Sequence, residues 1–217
     1  MTSLRFSPEH PLGIKKVQVG CGPKNILPSW WNVDIRNFTG IDQVMDVTKP
    51  WQWDAVLDFV YGEHFLEHLK LEDSIKFLKN AAKALKPQGK IRLSTPSLEW
   101  ILATHFDLNQ DNSEKRISQT FAINRAFHGW GHQFLYSRSF LQSIVEAVGF
   151  KDAKFCNYGE SSEDALCGME RHGGYNFTAG YPSVWILEAT LAQPAILDLK
   201  FLEECNANYT QYVNAGH

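Results

Sequence analysis

The stretch "KKVQVGCGPKN", Lys15 to Asn25, decides how the rest of the chain is read. Val17 and Val19 belong to a short β-type run that ends in Gly20 and Gly22, spaced Gly-x-Gly. Glycine at a strand end lets the backbone approach a ligand, because no Cβ stands in the way. A dinucleotide-binding turn would carry a third glycine, and here Pro23, Lys24 and Asn25 follow instead. The next apolar run ends in Asp34, nearer than the roughly 20-residue spacing of an NAD-binding acid, and its carboxylate can accept from both hydroxyls of a ribose. The third run leads into Asp46, placed where an adenine amino group could donate. Two acids at successive strand ends after one glycine turn point to a nucleoside site, one that NAD fits poorly.

Outward from this stretch, β-rich runs at Lys16–Val19, Asn32–Ile35, Gln43–Val47, Leu57–Tyr61, Lys90–Ser94, Ala153–Asn157 and Val184–Thr190 alternate with amphipathic ones. The alternation predicts an α/β fold with a mostly parallel sheet under covering helices. Helices are expected at Glu72–Leu85, stopped by Pro87 and Gly89, and at Ser137–Val148, with Ser137 as N-cap and Gly149 past the end. Only about ten residues separate the glycine turn from the second strand, so the first crossovers are truncated. Residues 1–14 read as an N-terminal extension, 15–191 as one domain, and 192–217 as a C-terminal tail with a helix that could serve a homodimer contact. Two long insertions, 97–136 and 159–182, are expected over the active face as a lid, with Asp107–Glu114 as a surface loop.

Composition narrows the partners. The 217 residues are 44% hydrophobic and 21% charged with a net charge of −3, which suits one soluble globular domain and offers no basic stripe for nucleic acid. The four cysteines form no CxxC pair, and no run resembles a signal peptide or a membrane span, so a cytoplasmic protein without a membrane partner is expected.

The segments "VQVGCGP", "WWNVDI", "VMDVTKPW", "DFVYGEHFLEHL", "AAKALKPQGKIRLSTP" and "FLQSIVEAVGF" follow one another over roughly the first 150 residues. In that order they resemble the class I S-adenosylmethionine-dependent methyltransferases, most closely the type 11 methyltransferase-domain group. The resemblance implies a Rossmann-like fold, a seven-stranded mostly parallel sheet with an antiparallel last strand. It also implies that Val19, Gly20, Cys21 and Gly22 border the methionine part of the cofactor, Asp34 and Ile35 the ribose, Asp46 and Val47 the adenine, with Glu63 beside them. The family's acid two residues before the first glycine is here Gln18, whose amide can still accept a hydrogen bond.

Methyl transfer to a hydroxyl needs alignment, exclusion of water and help in removing a proton. His64 follows the fourth strand and is the first candidate base; His128 and His132, in "HGWGHQFLYS", are the next, and His105 and His172 are weaker candidates. His64, Glu67 and His68 stand at i, i+3 and i+4, so a helix would project them together as a divalent-metal set completed by His128 or His132. That set resembles the Glu-x-x-Glu-His site of ubiquinone-biosynthesis O-methyltransferases and small-RNA 2′-O-methyltransferases, with His64 in place of the first Glu; a metal-free set of structural hydrogen bonds is the favoured reading and the metal the alternative. Aromatic residues Trp100, Phe106, Phe121, Phe127, Trp130 and Tyr136, with Tyr175, Phe177 and Tyr181, can wall an acceptor pocket or simply pack the insertions. The expected function is methyl transfer from S-adenosylmethionine to a small-molecule or saccharide acceptor, at oxygen. A non-catalytic S-adenosylmethionine-binding partner or sensor is the alternative, and an NAD-dependent oxidoreductase stands behind it.

Overall fold

The structure, a computed structural model, describes residues 13–171 and 176–215. His172 and Tyr175, and most of the 1–14 extension, lie outside the described residues. Strands β1 (Lys16–Val19), β2 (Trp31–Asp34), β3 (Gln43–Val44), β4 (Leu57–Glu63), β5 (Leu85–Pro96), β6 (Phe150–Phe155) and β9 (Val184–Leu191) form one seven-stranded sheet in the order β3-β2-β1-β4-β5-β9-β6. Pairings from β3 to β5 are parallel, and β9 runs antiparallel to both β5 and β6. The expected sheet with an antiparallel last strand is therefore present. A two-stranded ribbon of β7 (Phe177–Thr178) and β8 (Tyr181–Pro182) stands apart from it.

Five α-helices accompany the strands among the described residues: α1 (Leu71–Ala84), α2 (Leu98–His105), α3 (Ser113–His128), α4 (Arg138–Ala147) and α5 (Leu199–Asn214). Leu71, Ile75, Phe77, Leu78 and Ala81 of α1 and Leu141, Ile144 and Val145 of α4 are buried in the main core, the apolar stripes that their 3.6-residue periods display. Ser137 caps α4 by accepting from the Phe140 N–H at 3.3 Å. Helix α1 passes straight into β5, earlier than the expected Lys90 start. Gln88, at φ +68°, and Gly89 make the bend, and a Cβ on Gly89 would lie 2.9 Å from the Lys86 carbonyl oxygen. The link from β1 to β2 holds turns and no helix, so the truncated first crossover is found as expected.

The insertion and the C-terminal segment carry helices of their own. Most of the first insertion is helical: α2 and α3 pack on each other through Leu98, Ile101, Ile123 and Ala126, and the surface loop shrinks to the residues before the Asn112 N-cap. The expected C-terminal helix is α5, which packs on the fold: Leu202 is 2% exposed within the main core and Tyr209 meets Phe134 at 5.1 Å.

Candidate functional site

The carboxyl ends of β1, β2 and β4 and the turns after them surround a cavity of about 680 Å³, lined by Gly20, Asp34, Ile35, Met45, Asp46 and Val47 on one side and His64, Phe65, His68 and Trp130 on the other. That volume lies within the range of roughly 300–1,000 Å³ that small-molecule sites occupy. Gly20 (φ +58°) and Gly22 (φ +61°) both take left-handed backbone, which fits glycine. Each has a particular neighbour. A Cβ on Gly20 would stand 2.3 Å from Phe65 Cδ2, so the first glycine is required by an aromatic ring of the chain itself. Gly22 donates its N–H to Asp34 Oδ2 at 3.0 Å, tying the turn to β2. Gly20→Ala is expected to lower stability by about 1–3 kcal/mol without any ligand present, from backbone strain and the Phe65 contact together. A denaturant melt of the ligand-free variant that overlays the parent would refute this.

Asp34 is 3% exposed. Its other oxygen, Oδ1, accepts from the Arg36 N–H at 3.0 Å and from Arg36 Nε at 3.2 Å. Burial alone would raise its pKa, but hydrogen bonds from the Arg36 side chain and backbone and from Gly22 outweigh it and hold the carboxyl below its usual range. Asp46 is likewise held low, chiefly by the Thr48 hydroxyl at 2.6 Å. Two ionised carboxylates therefore face a cavity to which Ile35, Met45 and Val47 add apolar surface and Arg36 a guanidinium, with Ile35 68% exposed at its edge. Hydroxyls on one part of a ligand and a flat apolar face on another match that arrangement, which fits the nucleoside part of S-adenosylmethionine. Gln18 lies beneath the glycine turn, 1% exposed, and its Oε1 has no partner among the described residues, as an amide awaiting a donor would.

Val19 and Cys21 are buried and do not line the cavity; burial, then the charge of Asp34, push the Cys21 thiol up to about 11. Glu63 is turned to the second insertion, where Oε1 accepts from the Arg171 N–H at 2.5 Å. Arg36, Met45, Phe65 and Leu69 line the cavity without having been expected to. Phe65 had one signal in the sequence, its place beside the conspicuous His64.

Residues Leu66–His68 make a single 3-10 turn and not the α-helix that would have projected three ligands together. His64 precedes it in left-handed backbone (φ +45°), and its Nδ1 lies 3.1 Å from Glu67 Oε1. Burial opposes charge on His64, yet the hydrogen bond and charge of Glu67, with Glu63 beyond, raise its pKa above the ordinary value. Glu67 is fully buried, and its Oε2 accepts from the Thr95 hydroxyl at 3.1 Å. Its carbonyl receives the Gln133 N–H at 2.7 Å and the Phe134 N–H at 3.2 Å, which draws the segment after α3 against this turn. His132 arrives on that segment. Ligand atoms of Glu67, His68 and His132 lie within 4.8 Å of one another, a set that could hold a metal ion. His132 Nδ1 is 2.8 Å from the Ala126 carbonyl, so Nδ1 carries the proton and Nε2 is left as a donor atom, the usual disposition of a metal-binding or proton-accepting imidazole. His128, by contrast, ends α3 exposed and lines no cavity described here.

A second cavity of about 400 Å³ adjoins the first, with Trp130 in the walls of both. His132 borders the second cavity, His68 the first, and their rings are 5.2 Å apart. Of the other aromatic candidates, Trp100 lines the second cavity, Tyr136 is core, and Phe121, Phe177 and Tyr181 are exposed. The described start of the second insertion is tied to the sheet. Arg92 on β5 holds Glu170 at 2.7 and 2.8 Å and the Glu160 carbonyl at 3.0 Å, while Leu166 and Met169 pack on Trp30 and Tyr61. No helix among the described residues is long and apolar enough to cross a membrane.

This sheet order, with a cavity at the strand ends beside a Gly-x-Gly turn, is that of a Rossmann-like methyltransferase fold. The chain belongs to the methyltransferase-domain family, whose model matches residues 3–154. Among solved structures it is similar to an S-adenosylmethionine-dependent methyltransferase from Archaeoglobus fulgidus (19% identity, TM-score 0.50, 82% of this chain and 86% of that one). It is also similar to a protein from Thermotoga maritima described as a possible histamine N-methyltransferase (13% identity, TM-score 0.53, 81% of each chain). A Bordetella parapertussis protein described as a possible exported protein is matched at 13% identity and TM-score 0.47 over 82% of this chain, which spans 63% of that one. No curated protein matches.

Proposed function

We propose that the chain transfers the methyl group of S-adenosylmethionine to a hydroxyl oxygen of a small-molecule or saccharide acceptor. The observation that carries this reading is the position of the Glu67, His68 and His132 cluster, at the edge of the cavity that Gly20, Asp34 and Asp46 line. When bound, S-adenosylmethionine supplies an electrophilic methyl group with its own leaving group. The chain's part is to align the acceptor, exclude water and ease the loss of a proton. A hydroxyl needs that last help most, since it is a weak nucleophile until its proton leaves. Asp34 and Asp46 would hold the nucleoside, Trp130 would close the shared wall, and the cluster would receive the hydroxyl.

Two imidazole nitrogens and a carboxylate oxygen suit a divalent cation, whose contribution would be a lower pKa for the acceptor hydroxyl. The His64–Glu67 pair favours a second reading, in which an imidazole beside the carboxylate takes the proton directly. Methyl transfer from carbon-13-labelled S-adenosylmethionine into a small-molecule extract, before and after chelation, separates the two. Loss of transfer on chelation and recovery with added Co²⁺, whose absorption bands report the ligand set, is the expected result. Full activity after chelation would select the imidazole reading, and a labelled N-methyl product would overturn the oxygen assignment. His132→Ala is expected to lower the rate by about 100-fold or more under the metal reading, whereas His64→Ala carries the larger loss under the imidazole reading, each with little change in S-adenosylhomocysteine binding.

A further inference from the structure

We propose that the second cavity is the acceptor site and that it selects an aromatic hydroxy acid, a flat ring carrying a carboxylate and a hydroxyl; this rests on the reading that the cofactor fills the first cavity. The floor is apolar, built by Pro96, Ile101, Ala122 and Ala126. Trp100 and Trp130 add aromatic faces, and the Trp100 indole N–H is buried with no acceptor among the described residues. A buried donor left so is costly unless a ligand supplies the acceptor. The charged lining is of one sign. Arg125 is the only guanidinium, no carboxylate lines the cavity among the described residues, and burial keeps His105 toward its neutral form.

Arg125 makes no ion pair among the described residues, and its guanidinium stacks on the Trp130 ring at 4.4 Å. A stacked guanidinium is held in place and keeps its edge donors for a planar anion, which suits a carboxylate. Trp130 takes left-handed backbone (φ +57°) between Gly129 and Gly131, a conformation costly for a bulky residue. That turn brings one ring to the boundary of both cavities and sets His132 5.7 Å from it. A flat acceptor lying along Trp130, with its carboxylate at Arg125, would present its other end to His132 and the first cavity. A neutral sugar fits less well, because most of its hydroxyls would face the apolar floor without partners.

The test is calorimetric titration of the full chain, free and saturated with S-adenosylhomocysteine, using para-hydroxybenzoate, para-hydroxybenzyl alcohol and glucuronate as probes. The acid is expected to bind at least about 10-fold more tightly than the neutral alcohol. Arg125→Leu should erase that preference, and Trp100→Phe should weaken the acid, while S-adenosylhomocysteine affinity stays unchanged in both variants. Equal affinity for acid and alcohol, a preference that survives Arg125→Leu, or tighter binding of glucuronate than of the aromatic acid would each overturn the assignment. Thermal midpoints of the variants show that they remain folded. Should S-adenosylhomocysteine fail to bind the parent, the cofactor reading falls, and the acid titration of the free chain still decides whether this cavity prefers an aromatic anion.

Discussion

Replacing Arg92 by methionine is expected to lower the free energy of unfolding by about 3–5 kcal/mol at neutral pH, measured by denaturant melts. Arg92 is fully buried on β5, between Glu170 from the second insertion and Glu188 from β9, with the Glu188 contact at 2.5 Å. Glu170 also accepts from the Gly159 N–H at 3.0 Å, so the guanidinium joins the insertion to the sheet. Without it, two buried carboxylates lose their shared counter-charge. The pH dependence separates this cause from simple loss of packing. In the parent, burial opposes ionisation of Glu188, but hydrogen bonds from Ser161 and Lys154 and the charge of Arg92 outweigh it and hold its pKa below the ordinary 4.5. A depressed folded pKa gives stability that is present above the unfolded value and is lost as pH falls through the folded one. The parent therefore weakens on acidification. In Arg92→Met, Glu188 loses one of the partners that offset its burial, so the variant loses less stability than the parent as pH falls. Parallel pH profiles would show that the charge network contributes little, and Glu170→Gln added to the variant should recover part of the loss.

Asp34→Ala is expected to weaken S-adenosylhomocysteine binding by at least about 100-fold, because two charge-assisted hydrogen bonds to ribose hydroxyls are each worth roughly 1.5–3 kcal/mol. The carboxylate is also bonded to Gly22 and Arg36, so part of the loss could pass through the turn. Asp34→Asn and Arg36→Ala resolve this. The amide keeps an acceptor for the Gly22 N–H but lacks the charge, and Arg36→Ala leaves the carboxylate in place. The expected order of affinity is parent and Arg36→Ala together, Asp34→Asn below them, and Asp34→Ala lowest. Calorimetry showing unchanged affinity in Asp34→Ala would remove Asp34 from the site.

Much of the architecture was legible in local residues. Lys16–Val19 was read with its observed bounds, because a β-branched run ending in glycine has few other readings, and α1 was read to within a residue from its apolar stripe and the breakers beyond it. The helices of the first insertion were not legible because they carry no such stripe: Leu102, Ile117, Phe121 and Phe127 are exposed, so periodicity could not reveal α2 and α3. Their starts were written all the same in Ser97 and Asn112, whose side chains accept from the Trp100 and Lys115 N–H groups.

The sequence by itself determined the strand order's raw material, the glycine turn and the two acids at the strand ends, because these depend on backbone preferences and on residues near one another in the chain. Only the tertiary structure decided that His132 and not His128 joins Glu67 and His68, through two backbone bonds to the Glu67 carbonyl. It also decided that Phe65 covers Gly20, that Glu63 faces the second insertion, and that Arg92 meets carboxylates from two distant segments. Composition and period place a side chain on a face of an element. Whether two such side chains stand within hydrogen-bond reach depends on how the elements pack, and only that packing separates His128, at the end of α3, from His132, four residues on beyond the Gly129–Gly131 turn.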